Sequence, residues 1–165
     1  MDKSLFALNL AREQLEAAER MISVTFGVVG DPRLLLTVAQ KLHAAHYNAM
    51  KSILYYEVHN NKIPKFDENF EHMLALFQAR AARRYSLQED YTPFIKQLNG
   101  IIQGHKDSPV VFERKGSYVI CDEDYNMEQV SQERLQEYAK IGRKFIEDAE
   151  RMVVGHGRRN ITRCI

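Results

Sequence analysis

PRLLLTVAQKLHAAHYNAMKSILYYEVH (Pro32–His59) is the stretch whose reading decides the fold. Leu35, Val38, Leu42, Ala45, Ala49, Ile53 and Tyr56 recur at alternating steps of three and four, the period of a helix face. That row covers a sector of about 100°. Leu36, Tyr47 and Leu54 lie beyond it, so the apolar arc passes well over halfway round; Arg33, Gln40, Lys41, Asn48 and Lys51 fill the remaining strip. Asp31 offers a side-chain acceptor at the N-cap, and Pro32 brings a backbone pre-set for the first turn. A helix this apolar is either wrapped by neighbouring helices or shared with a second copy of the chain. Leu36, Tyr47 and Leu54 are its expected interface residues, and a homodimer is the expected assembly.

Outward from this helix the pattern stays helical. Ser4 to about Thr25 places Leu8, Ala11, Leu15, Ala18 and Ile22 on one face, and FGVVGD (Phe26–Asp31) reads as the connection. Beyond Ile63-Pro64, Asp67 is the expected N-cap of a third helix carrying Phe70, Met73, Leu74, Phe77 and Ala81. That helix is expected to end near Tyr85 in a basic turn holding Arg80, Arg83 and Arg84, where cations suit the helix dipole. Ser86 to Glu89 has capping-box spacing, and Thr92-Pro93 starts a helix running to about Gly104. VVFERKGSYVIC (Val110–Cys121) changes period: apolar and aromatic runs flank Lys115-Gly116, which predicts a β-hairpin lying against the helices. After an acidic loop at Asp122-Glu123-Asp124, a last helix is expected from Met127 or Ser131 to Val154. Leu135, Tyr138, Phe145, Ala149 and Met152 form its buried row. Gly155 and Gly157 are expected to end it, leaving a basic tail over 156–165. The expected fold is therefore all-α: one domain over residues 1–165, a bundle of about five helices with a small hairpin at 110–121.

Composition narrows the classes of function. With 165 residues, 27% of them charged, and a net charge of +1, the chain is that of an ordinary folded domain. Its length is enough to bury a sizeable core. No apolar run reaches the roughly 18 residues of a membrane span, and no membrane association is expected. Cys121 and Cys164 are too few for a zinc site or a disulfide framework, so a cytoplasmic location is the expectation. Gly-rich phosphate loops are missing, and no serine or cysteine has a nucleophile's context. No cofactor is expected.

RMVVGH (Arg151–His156) is the most suggestive pairing of chemical groups, and HAAHYNAMKSILYYE (His43–Glu57) is an aromatic-and-alanine core helix leading to a linker. In these two stretches the chain resembles the HEPN superfamily of small α-helical bundles. It also looks, more loosely, like small archaeal helical proteins with an inserted hairpin. In active HEPN members the resemblance implies metal-independent RNA cleavage at a dimer interface. The histidine would move protons and the arginine would steady the phosphate, which here makes Arg151 and His156 the catalytic candidates. Two features depart from the family: Met152 follows the arginine where a polar residue is usual, and the pair lies at the end of the last helix. Residues five apart on a helix point about 140° from each other, so the two converge only if the helix breaks at Gly155. The first expectation is accordingly a non-enzymatic helical interaction module, RNA-contacting or antitoxin-like, with an RNA or protein partner. The HEPN-type ribonuclease is the alternative.

Basic side chains gather in two places, Arg80, Arg83 and Arg84, and the tail with Arg158, Arg159 and Arg163. Residues 151–165 hold four arginines and no acid. Arg80, Arg83, Arg84, Arg158 and Arg159 are the nucleic-acid-binding candidates, with Tyr85 placed to stack on a base. His43 and His46 stand one turn apart, a spacing that suits one metal, but Glu57, His59, His72 and His105 offer no supporting spacing for a third ligand. Histidines in a core are the plainer reading, and no metal is assigned. A di-iron carboxylate bundle needs Glu-x-x-His on two helices, and the sequence contains none.

Overall fold

The computed structural model describes residues 2–81, 87–107, 110–114, 116–121 and 124–162. Five helices and a three-stranded sheet make up the described chain. α1 (Lys3–Arg20) begins at Asp2, whose carboxylate accepts from Ser4 N at 2.9 Å. It buries Leu8, Ala11, Leu15 and Ala18. The helix then continues through a π-helical stretch (Met21–Thr25) and one more α-turn (Phe26–Val29). Phe26–Val29, expected as connection, is thus still helical. The stop is Gly30, left-handed at φ +68°, whose N–H returns to Phe26 O at 2.7 Å.

α2 (Arg33–His59) is the organising helix. Pro32, at φ −58°, is the cap residue, one position later than expected, and Asp31 Oδ1 just before it accepts from Arg33 N at 3.0 Å. The predicted row from Leu35 to Ile53 is buried, and so are Ala39, His46, Met50, Ser52, Leu54 and Glu57. Ser52 Oγ, near the end of α2, donates to Ser4 O at the start of α1 at 2.9 Å, which sets the two helices antiparallel. Leu54, expected at a subunit interface, is instead completely enclosed by the chain's own core and offers no surface to a partner. Tyr47, half-buried, turns toward the next helix, stacking on Phe70 at 6.3 Å between ring centres; Leu36 is partly covered.

α3 (Phe70–Leu76) continues as a π-helical stretch (Phe77–Ala81). Its cap is Asn69, whose side chain accepts from His72 N at 3.1 Å, in place of the expected Asp67. Asp67 instead meets the His72 ring at Nδ1, 3.1 Å away. The expected end at Arg83, Arg84 and Tyr85, and the capping box from Ser86, lie outside the described residues. α4 (Thr92–Asp107) starts where Thr92-Pro93 predicts and buries Ile95, Leu98 and Ile101.

β1 (Val110–Arg114) and β2 (Ser117–Cys121) form the expected hairpin, antiparallel with Phe112 opposite Val119, and Gly116 at φ +78° serves its turn. A third strand, β3 (Met127–Val130), pairs antiparallel with β2, where the sequence suggested loop or helix. Its side chains alternate, with Val130 buried and Met127 exposed. α5 (Gln132–Thr162) starts from Ser131, whose Oγ accepts from Arg134 N at 3.2 Å. It packs against both α1 and α2, while α4 and β2 cover another side of α2. α5 runs through Gly155 and Gly157 to Thr162, past its expected end. Both glycines tolerate α-helical backbone; each only loses about 1 kcal/mol of propensity relative to alanine. Among the described residues no helix is long and apolar enough to cross a membrane.

Candidate functional site

The proposed Arg151–His156 pair meets an unbroken helix. Because α5 continues through Gly155, the two backbone positions point about 140° apart, and the break that would bring them together is absent. The Arg151 guanidinium is instead engaged at 2.7 Å with Asp148 Oδ1, one turn earlier. The side chains of His156, Arg158 and Arg159 lie outside the described residues, as do Arg83, Arg84, Arg163 and Cys164. Arg80 is exposed on the π-helical end of α3.

Asp148 is the centre of the best-built polar cluster. It is wholly buried, and four donors surround it. Gln88 N gives 2.9 Å to Oδ2, Gln88 Nε2 gives 3.2 Å to Oδ1, Tyr91 donates its hydroxyl to Oδ2, and Arg151 supplies the cation. Tyr91 is itself buried and stacks on Phe145 at 4.2 Å, so burial and the neighbouring carboxylate push its phenol well above the ordinary tyrosine range. A buried carboxylate with its lone pairs this fully taken is a tie, not an acid–base group awaiting substrate. It fastens the residues before α4 onto α5, and Lys144–Glu89 at 2.9 Å adds a second strap beside it. The sequence did carry a signal for this site. Ile141, Phe145, Asp148 and Met152 fall at steps of four, three and four, which puts an acid on a buried row.

The two histidines of α2 serve different surroundings. His46 is fully buried, its Nε2 3.1 Å from Tyr138 O and its ring against Phe145. Burial holds its pKa down at about 4. A Cβ on Gly142 would stand 3.0 Å from His46 Nε2, so the glycine on α5 is what admits the ring. His43 is half-buried between Tyr47 and Phe70, at 6.1 and 6.0 Å, and burial also lowers its pKa. The remaining candidates are dispersed: Glu57 is buried on α2, His59 is exposed at its end, His72 pairs with Asp67, and His105 faces Tyr118. Among the described residues no three His, Cys, Asp or Glu side chains form a metal-binding group.

At the sheet end, Arg134 on α5 joins Glu128 at 2.7 Å, Gln129 O at 2.9 Å and the Tyr138 hydroxyl at 3.0 Å, and that hydroxyl donates to Gln97. This network binds β3, α4 and α5 to one another. Unpartnered apolar surface appears elsewhere. In the extension of α1, Val24 is 60% exposed, Val28 83% and Val29 61%. Val24 and Val28 stand one turn apart and share a face. Comparison with protein-family models, with curated proteins and with solved structures finds no match to this chain.

Proposed function

We propose that the chain is a non-enzymatic helical interaction module that docks on a protein surface, a second copy of itself included, through the end of α1. The observation that supports this reading is the triad of exposed valines, Val24, Val28 and Val29, projecting from an extension that buries only Ile22. Leaving large aliphatic groups in water forgoes about 1.5–3 kcal/mol each, which a partner recovers by covering them. Arg151 supports the same choice over the ribonuclease, since its guanidinium already neutralises the buried Asp148. The RNA-contacting version of the module rests on Arg80, Arg158 and Arg159 and the local excess of arginine over 151–165.

Three measurements test the reading. Sedimentation across a wide concentration range, alone and with candidate partners, should show association that Val28→Asp abolishes at unchanged thermal midpoint; association indifferent to Val28→Asp overturns the valine face. RNA incubated in EDTA with the wild type and with His156→Ala should stay intact in both. Cleavage by the wild type that His156→Ala abolishes overturns the non-enzymatic reading. Affinity for RNA, measured at low salt, should fall steeply as salt rises and weaken in Arg158→Ala/Arg159→Ala if the module contacts RNA.

A further inference from the structure

A cleft of about 720 Å³ opens where the start of α1, the end of α2 and the connection 60–69 meet. Its size lies within the range of small-molecule sites. Tyr55 and Phe66 form its aromatic wall, with ring centres 5.1 Å apart and planes tilted by 36°, and Val58 continues the apolar surface. The connection that carries Phe66 is held in place from below: Ile63 is buried, and Glu68 is fixed by the Tyr55 hydroxyl and by Lys51, 3.3 Å away. The wall is therefore preformed.

The charges around it are unequally committed. Both carboxylates of the lining are spent within the fold. Asp2 caps α1 through Ser4 N and Oγ, and Glu68 accepts from Tyr55 and Lys51. The hydrogen bond from Tyr55 holds Glu68 below the usual carboxylate range, so its charge stays paired with Lys51. The cations are less committed, Lys3 adding only a longer-range attraction to Glu68. Lys65 and Lys3 make no ion pair among the described residues, and Lys3 Nζ hovers 5.4 Å from the centre of the Tyr55 ring. His59, at the end of α2, lines the cleft beside them, so the chemistry facing it is an aromatic wall flanked by two ammonium groups and an imidazole.

We propose that this cleft binds a small aromatic anion, its ring laid against Tyr55 and Phe66 and its anionic group met by Lys3 and Lys65. A flat apolar body satisfies the wall, and a carboxylate or comparable group at its edge reaches the lysines on their flexible stems. The site stands apart from the valine face, roughly 40 Å away at the other end of α1 and its extension. It does not depend on the partner reading.

The test uses the full chain and 2-naphthoate as probe, with 2-naphthalenemethanol and acetate as the ring-only and charge-only controls. Calorimetric titration should show one saturable site for 2-naphthoate, at least tenfold tighter than either control. Lys3→Ala/Lys65→Ala should weaken it about tenfold or more, Phe66→Leu severalfold, and Lys62→Ala, on the same connection, not at all. All are surface or half-buried positions, and circular dichroism checks that each variant folds. Amide shifts in an NMR titration should centre on 55–68 and on the first turn of α1. No saturable binding at millimolar probe, equal affinity for the neutral alcohol, or undiminished affinity in Lys3→Ala/Lys65→Ala each overturns the proposal.

Discussion

At the scale of single residues, His46 shows how a side chain's chemistry yields to its place. Its ring fills the gap left by Gly142 and gives one nitrogen to Tyr138 O, while Nδ1 has no partner. Protonation inside the fold would bury an uncompensated charge, which is why burial lowers the pKa to about 4. Unfolded, the same histidine titrates near 6.5. Between these values the unfolded chain binds the extra proton, so the stability His46 contributes is present above about pH 6.5 and is lost as pH falls toward 4. The span corresponds to about 3 kcal/mol. His43, also lowered by burial, acts in the same direction. In His46→Gln an amide can keep the bond to Tyr138 O without titrating. Urea midpoints near pH 7 and pH 4.5 should therefore lie closer together for this variant than for the wild type, with His43 keeping a remainder of the difference. Equal slopes in the two proteins would show that His46 carries none of the dependence. His46 could be placed from sequence as a core histidine because it borders the apolar face of α2; its glycine partner, nearly a hundred residues further on, leaves no periodic trace.

At the scale of elements, what sequence makes legible is what repeats. The face of α2, the hairpin turn at Gly116 and the start at Thr92-Pro93 all rest on signals within a few residues of one another. β3 is not legible in sequence because Met127–Val130 is four residues long and carries Met127 exposed and Glu128 on the side of buried Val130, so only its pairing with β2 makes it a strand. The end of α5 is not legible because glycine permits an αL stop without requiring one. Gly30 takes that stop and Gly155 does not. The cap of α3 is the finest such case, since Asp67 and Asn69 are both good N-cap residues by type. The difference is geometric: Asn69 reaches His72 N, and Asp67 is occupied with the His72 ring. Asn69→Ala should cost about 1 kcal/mol, while Asp67→Ala, losing only an exposed pair, should stay within about 0.5 kcal/mol of the wild type. Denaturant unfolding of the two variants side by side reads the difference directly, and the reverse order would assign the cap to Asp67.

At the scale of the molecule, the question is what Arg151 is for. Sequence offered it as half of a catalytic pair, because an arginine and a histidine close together are conspicuous in a linear reading. Packing gives it another task, legible only once Gln88, Tyr91 and Asp148, from two distant stretches, come together. That cluster joins the chain before α4 to the middle of α5, and α5 in turn packs on α1 and α2, so its loss should be felt by the whole bundle. Asp148→Ala strands Gln88 N and the Tyr91 hydroxyl without their acceptor and should cost about 3–5 kcal/mol. Arg151→Ala should cost less, about 1–2 kcal/mol, because the guanidinium is half exposed and the carboxylate keeps its other donors. If Arg151 serves chiefly to neutralise Asp148, the double variant should be no less stable than Asp148→Ala alone, so that the cycle closes on a coupling close to the whole effect of Arg151→Ala. Unchanged denaturant slopes would show that the unfolding remains one cooperative event across all three variants. Fully additive losses would show that Arg151 stabilises the fold independently of Asp148.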